Sequence, residues 1–504
     1  MRKTKWLISG LLLFASTAVA SVYDSDGSAH NVDKLIGHSS DGDTVTIPSG
    51  TFTWNNTVTI PNTKAITLQG KGVGKTIVKD AVQRGPFLVV NVRSDNKTKL
   101  TRITGIEFQD GGRAIPANGR NGVIRFNGRD NRTDGRLRFD HCKWFQLKGP
   151  LLANTVLGVF DHLDVTCQPK QGPWSYLHHE FWNGGRESDK SFSDPITWGD
   201  ANWLFIEDCT FGGSKRGIED AYKGARLVIR HNILKDMSIQ SHGTESGGGR
   251  ARGVAAIDCY NNEFIGTSGK NGVVAFLRSG THRFHDNTTT NWSDPKIVLS
   301  CYRLFWDFAR SGLGGADGRN PLDVNKAGGP FYKGTASTGS QLSVSVSGDP
   351  WTSDQWKGYS IVKTSGLLAG QQKFSLIVGN TSNTISYLPA FQPRGTMTFS
   401  PGDRFELYKV LQALDQPGRI GGTISGNPPR FSRGTNDQTT DPVYEWNNHS
   451  TELDGSDYKY YWKVGNNRDA PIRENEHYFT DHRPPPSGYS TYTYPHPLTK
   501  SGGQ

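Results

Sequence analysis

A chain of 504 residues with 60 glycines, 34% hydrophobic residues and five cysteines is long enough to bury a large core, too turn-rich for a helical bundle and too poor in cysteine for a disulfide scaffold. Its 57 basic residues exceed 47 acidic ones by ten, which suits an anionic partner, and for an exported chain that partner is acidic polysaccharide in preference to nucleic acid. No stretch offers roughly 18 uninterrupted apolar residues, so no membrane span is expected within the fold, and a monomer is expected.

The N-terminus reads as an export signal. Arg2, Lys3 and Lys5 precede a short apolar run over residues 6–15, and Ala18-Val19-Ala20 supplies a small-x-small cleavage site before Ser21. Residues 1–20 are therefore excluded from the fold, and the mature chain is expected in the periplasm or the medium. The signal takes three basic residues with it: 57 less three leaves 54 against 47 acidic, about +7. Next, Asn31 is expected to cap a short helix with Val32, Leu35 and Ile36 on one face, a plug for the N-terminal end of the fold.

Further along, Gly42-Asp43-Thr44-Val45-Thr46-Ile47-Pro48-Ser49-Gly50 and Ile66-Thr67-Leu68-Gln69-Gly70-Lys71-Gly72 are short strand-like runs closed by turns. The stretch Gly70 to Thr76 imitates a phosphate-binding loop, but its first glycine stands one residue too close to the Gly74-Lys75-Thr76 end. It reads as a turn.

An internal repeat organises the middle of the chain. Phe139-Asp140-His141-Cys142, Phe160-Asp161-His162-Leu163, Ile206-Glu207-Asp208-Cys209, Ile229-Arg230-His231-Asn232, Cys259-Tyr260-Asn261-Asn262 and Phe284-His285-Asp286-Asn287 each begin apolar and turn polar. Their fourth positions are 21, 46, 23, 30 and 25 residues apart, the period of one coil of a β-solenoid, with 46 standing for two coils or one coil with an insertion. The fourth column, Cys, Leu, Cys, Asn, Asn, Asn, makes sense if these side chains stack inside the coil, the asparagines bonding one another and the turn backbone. Cys142 and Cys209 then become small buried hydrophobes. Phe145, Phe211 and Phe264 are expected to fill a neighbouring inward column. Together with the opening runs, residues 40–310 resemble the pectate-lyase-like right-handed parallel β-helix superfamily. The resemblance implies an all-β solenoid and is weak for reaction, because that superfamily holds lyases, hydrolases, epimerases, esterases and phage tailspikes.

Coil stacking brings distant residues together, since neighbouring strands lie about 4.8 Å apart. Three successive coils carry the densest polar cluster: Glu219-Asp220-Ala221-Tyr222-Lys223, then Ser241-His242-Gly243-Thr244-Glu245 followed by Arg250 and Arg252 in a glycine-rich loop, then Leu277-Arg278. A polysaccharide lyase must neutralise a uronate carboxylate, take the proton at C5 and protonate the leaving oxygen. His242 suits the base, Arg250, Arg252 or Lys223 the carboxylate, and Tyr222 the proton donor, with Arg278 in the same groove. The superfamily resemblance implies an arginine base instead, which would be Arg252. A glycoside hydrolase would pair Asp220 with Glu245, about 5 to 5.5 Å apart for retention. A non-catalytic solenoid that only grips an acidic polymer is the third class. The insertion over residues 172–203 carries Trp174 and Trp182 as sugar-stacking candidates for the cleft wall. Asp140, Asp161 and Glu207, with His141, His162 and Asp208 beside them, invite Ca²⁺, whereas the histidines are too scattered in sequence to suggest a transition metal.

From about residue 328 the texture changes to short alternating strands, such as Leu342 to Val346 and Phe374 to Val378, a small β-domain inserted into or appended to the solenoid. There Trp351, Trp356 and Tyr359 suit either core or a sugar-stacking surface. The solenoid pattern returns at Tyr444-Glu445-Trp446-Asn447-Asn448. The expected organisation is a signal over 1–20, a capped β-helix over 21–327, the small β-domain over 328–410, and over 411–504 a β-helix continuation ending in a Pro- and Tyr-rich tail that lies along the solenoid or caps it.

Overall fold

The computed structural model describes residues 20–92, 99–114, 122–128, 136–167, 175–180, 192, 194–213, 217–243, 253–300, 330–357, 359–366, 373–387, 397–409, 415–421, 424–425, 430–431, 439–451, 457–458, 461–464, 472–480 and 485–500. Within them the chain winds through three parallel sheets in turn, each sheet receiving one strand per coil. One coil runs Leu137–Asp140, Lys143–Phe145, Leu151–Asn154, and the next begins at Gly158–Asp161, in register with the first. Among the described residues the first sheet has 12 strands, from Val22–Asp24 to Tyr478–Phe479, the second has 13 and the third six. The architecture is a right-handed parallel β-helix, the hand that strand-crossover-strand connections take.

Period-two alternation explains the interior. In Leu137–Asp140 the leucine and phenylalanine enter the core while Arg138 and Asp140 face outward. Strand register stacks Leu137, Gly158, Leu204, Leu227 and Ile257 along one interior line. Between first and second sheets seven coils turn sharply through one non-glycine residue in the left-handed region: His141, His162, Asp208, His231, Asn261, Asp286 and Asn447 all have φ between 49° and 56°. Asn, Asp and His are the non-glycine residues that tolerate this conformation best, which explains why the column is polar in these coils, while Gly105 takes the place in an earlier one.

The residue after each turn points inward and forms the ladder. Asn232 Nδ2 donates to Asn262 Oδ1, Asn262 Nδ2 to Asn287 Oδ1 and Asn287 Nδ2 to Asn448 Oδ1, each at 2.9 Å. The same oxygens accept backbone N–H groups from the preceding coil, as Asn262 Oδ1 does from Asn232 at 3.0 Å. Cys142, Cys209 and Leu163 occupy the same column in earlier coils and are buried. Burial pushes the Cys142 and Cys209 thiols up, so they carry no thiolate chemistry.

Two expectations need correction, and one open alternative is settled. The helix is present as Ala29–His38 with Val32 and Ile36 buried, but its cap is Ser28, whose Oγ accepts the Asn31 N–H at 3.2 Å. Phe145 is not inward: it is 37% exposed, and Trp144 takes the interior place in register with Val165 and Phe211. Phe211 and Phe264 stand two residues after the ladder residue and Phe145 stands three after it, and a one-residue offset in a strand reverses the face. The 46-residue spacing is one coil with an insertion, because Gly158 pairs directly with Leu204.

A seven-stranded antiparallel sheet from Tyr332–Thr335 to Arg404–Lys409 forms the small β-domain. Trp351 and Trp356 are buried in its core with Val344, Ile361 and Leu407, so they serve packing. Phe284 of the solenoid pairs with Glu445, so the domain lies within a single coil as an insertion.

The outward face of the first sheet carries buried ion pairs that step from coil to coil. Arg102 grips Asp140 through Nε at 2.8 Å and Nη2 at 2.6 Å, Arg138 grips Asp161 at 3.0 and 2.8 Å, and Arg230 reaches Glu207 at 2.8 Å. The C-terminal residues 485–500 lie across these pairs. Arg230 donates to the carbonyls of Tyr492 and Thr493 at 2.7 and 2.9 Å, the His496 N–H donates to Glu207 at 2.8 Å, and Tyr489 O–H donates to Asp258 at 2.8 Å. These guanidinium groups occupy the carboxylate oxygens that calcium would need, so Asp140, Asp161 and Glu207 do not form a Ca²⁺ cage.

Candidate functional site

The cluster foreseen over Glu219 to Arg278 forms just past Gly217–Glu219, the last strand of the third sheet, and past Ile239–Gln240 and Glu263–Leu277 in the next two coils. Bridges between Ala221 and Ser241, and the pairing of Gln240 with Phe276, place Tyr222, His242 and Arg278 at equivalent positions of successive coils. Ile239, Ala275 and Leu277 alternate with them and point into the core, which aims this column outward. Asp220 sits between the His242 imidazole and the Arg278 guanidinium. Its Oδ1 is 3.4 Å from His242 Nε2 and 3.6 Å from Arg278 Nη2.

Several contacts fix the geometry. Arg278 Nε donates to the Ser241 carbonyl at 2.6 Å, and the Arg278 backbone N–H donates to Ser241 Oγ at 3.0 Å. The Tyr222 and His242 rings meet edge to face at 6.2 Å, and the Lys223 ammonium lies 5.4 Å over the Tyr222 ring. With Nε2 turned to the carboxylate as the N–H of a neutral ring, the lone pair of that tautomer lies on Nδ1. Asp220, Tyr222, His242 and Arg278 are all buried in this arrangement.

Glu219 lies beside them, fully buried, with Oε1 accepting the Gln240 N–H at 2.6 Å. Burial, reinforced by the neighbouring Asp220, raises its carboxyl well above the usual range. A raised carboxyl binds a proton in the folded chain that the unfolded chain has released, so its stabilising effect fades as pH climbs above the ordinary value of 4.5. Glu219→Gln is therefore expected to gain melting temperature over the wild type at about pH 8 and to match it near pH 4. Equal differences at both pH values in a thermal melt would contradict a buried neutral carboxyl.

Of the residues singled out from sequence, Asp220, Tyr222, Lys223, His242 and Arg278 come together. Glu245, Arg250, Arg252, Trp174 and Trp182 lie outside the described residues. A second set, on the third sheet, escaped notice: Asn91, Asn127 and Asn154 stand in register on three successive coils, with Asn127 Nδ2 donating to Asn91 Oδ1 at 3.0 Å. The signal was present in Leu88-Val89-Val90-Asn91, Ile124-Arg125-Phe126-Asn127 and Leu151-Leu152-Ala153-Asn154, each an apolar strand closed by asparagine.

No family model matches the chain, and no curated protein matches its sequence. Among solved structures, it is similar to a mannuronic acid specific polysaccharide family 6 lyase from human gut microbiota (16% identity, TM-score 0.34, 55% of this chain and 67% of that one). It is also similar to an alginate lyase from a Paenibacillus species (10% identity, TM-score 0.29, 55% and 93%) and to an Acinetobacter phage tailspike protein (11% identity, TM-score 0.34, 79% and 86%).

Proposed function

We propose that this chain is an exported, carbohydrate-active β-helix that cleaves an acidic, uronate-containing polysaccharide by β-elimination. The observation that carries the reading is Asp220 held between His242 and Arg278 on adjacent coils, with Tyr222 next in the column. In the reaction, Arg278 and Lys223 offset the uronate carboxylate, which acidifies the proton at C5. His242 Nδ1 takes that proton, its electron pair becomes the C4–C5 double bond, and the bond from C4 to the glycosidic oxygen breaks. Tyr222 O–H protonates the departing oxygen, and the proton held by His242 returns to the tyrosinate through water, which resets both groups. A hydrolase is less well supported by the described residues, because Asp220 faces His242 and Arg278 and Glu219 is committed to the Gln240 N–H. The export signal at residues 1–20 and the basic balance support an extracytoplasmic, polyanionic substrate.

The burial of the whole cluster favours one other reading, a non-catalytic solenoid in which these charges only tie the coils together while the surface holds the polymer. A panel of uronate polysaccharides separates the readings. The expected result is a rise in ultraviolet absorbance from the unsaturated product. New reducing ends without absorbance would make the chain a hydrolase, and polymer binding with neither would make it a binding solenoid.

A further inference from the structure

The turn between first and second sheets places histidines at the same point of adjacent coils, although they stand 21 residues apart in sequence. The rings of His141 and His162 are stacked, 4.7 Å between centroids and 4° from parallel. Each turns Nδ1 toward a buried carboxylate: His141 to Asp140 at 2.8 Å and His162 to Asp161 at 2.9 Å. Those carboxylates are in turn held by Arg102 and Arg138. Both imidazoles are half exposed, 55% and 50% at the side chain, over carboxylates that are fully buried.

This is the outer arrangement of metal-bound histidine. An imidazole whose Nδ1–H is fixed by a carboxylate has its tautomer and orientation set, and presents a more basic Nε2 lone pair to an ion. Among the described residues no group bonds either Nε2. The ligand atoms of His141, His162 and Asp161 lie within 4.8 Å of one another. Two arginines offset Asp140 and Asp161, so the ground beneath the rings is near neutral and does not repel a cation.

We propose that His141 and His162 form a surface site for one borderline divalent transition ion, Zn²⁺, Ni²⁺ or Cu²⁺, bound through the two Nε2 atoms with water in the remaining positions. Imidazole pairs select these ions over Ca²⁺ and Mg²⁺, which prefer oxygen. Parallel rings direct their Nε2 lone pairs side by side, so to meet one ion at about 2.0 to 2.1 Å from each nitrogen the two rings must turn toward each other on binding. Their exposed edges allow it. The site sits on a different corner of the solenoid from the Tyr222, His242 and Arg278 column and stands independently of the reaction proposed there.

Asparagine is the substitution that tests it. The same turn position is Asn261 and Asn447 in other coils, with φ of 53° and 51°, so His141→Asn and His162→Asn keep the backbone while removing the ligand. Titrating untagged full chain with ZnCl2 by calorimetry is expected to show one saturable equivalent. Each variant should weaken it at least by the roughly tenfold that even an outer partner of a bound imidazole contributes, and the double variant should abolish it. With CuCl2, electron paramagnetic resonance should show two nitrogen ligands in the wild type and one in each single variant. His449→Asn, at an exposed histidine elsewhere, should change neither measurement. Undetectable zinc binding by the wild type, or undiminished binding by a folded double variant, would overturn the site.

Discussion

Asn262→Leu is expected to destabilise the chain by about 4 kcal/mol, because it strands several buried polar groups at once, each worth about 1 to 3 kcal/mol. Asn262 Oδ1 accepts from the Asn232 backbone N–H and from Asn232 Nδ2, and its own Nδ2 donates to Ile229, to Tyr260 and to Asn287 Oδ1. Leucine fits the volume of the column, as Leu163 shows in an earlier coil, so the loss isolates hydrogen bonding from packing. Urea unfolding followed by circular dichroism gives the difference. The double variant Asn232→Leu/Asn262→Leu should cost less than the two single changes added together, since each removes groups the other leaves unpaired. A shift of Asn262→Leu below about 1 kcal/mol would mean that the ladder is ornament on a core held by apolar contact alone.

His242→Ala is expected to lower kcat for elimination by about 10² to 10⁴, the usual contribution of a positioned general base, with the far-ultraviolet spectrum unchanged. Arg278→Lys separates charge from shape. Lysine keeps the cation but cannot hold Ser241 and Asp220 at once with a planar fork, so a smaller loss, weighted toward KM, is expected. Steady-state rates on the responsive polysaccharide measure both. If His242→Ala turns over at the wild-type rate while Asn262→Leu behaves as described, the fold account stands and the site account falls.

Much of the solenoid was legible because a coiled fold repeats one structural demand at one sequence interval. The inward turn residue must be small, apolar or able to bond its neighbours, and that demand printed Cys142, Cys209, Asn232, Asn262 and Asn287 into the chain. Alternation was readable within strands, yet the phase was not safe by eye: Trp144 and Phe145 are both large and aromatic, and only strand register says which is inside. The helix cap was misplaced for a similar reason, since Ser28 and Asn31 are both good capping residues. Convergence across coils is the least legible property. His141 and His162 looked scattered until the turn placed them face to face, and the calcium reading of Asp140, Asp161 and Glu207 failed because Arg102, Arg138 and Arg230 come from other coils. The Asp220, His242 and Arg278 contacts were anticipated as a cluster, but that Asp220 sits between the other two needed the bridge from Ala221 to Ser241.

The way residues 485–500 lie over the first sheet also bears on how the chain reaches its finished state. Arg138, Glu207 and Arg230 enter the fold early in sequence, but part of their hydrogen bonding comes from carbonyls and an N–H some 260 to 360 positions later. Until that segment arrives, the outward charges of several coils remain wet and the solenoid is unfinished, a long-range closure of the kind that slows folding. Residues 485–500 thus complete the hydrogen bonding of that face. A variant lacking residues 485–500 is left with poorly satisfied ion pairs along one face, where a protease would find the backbone loosest.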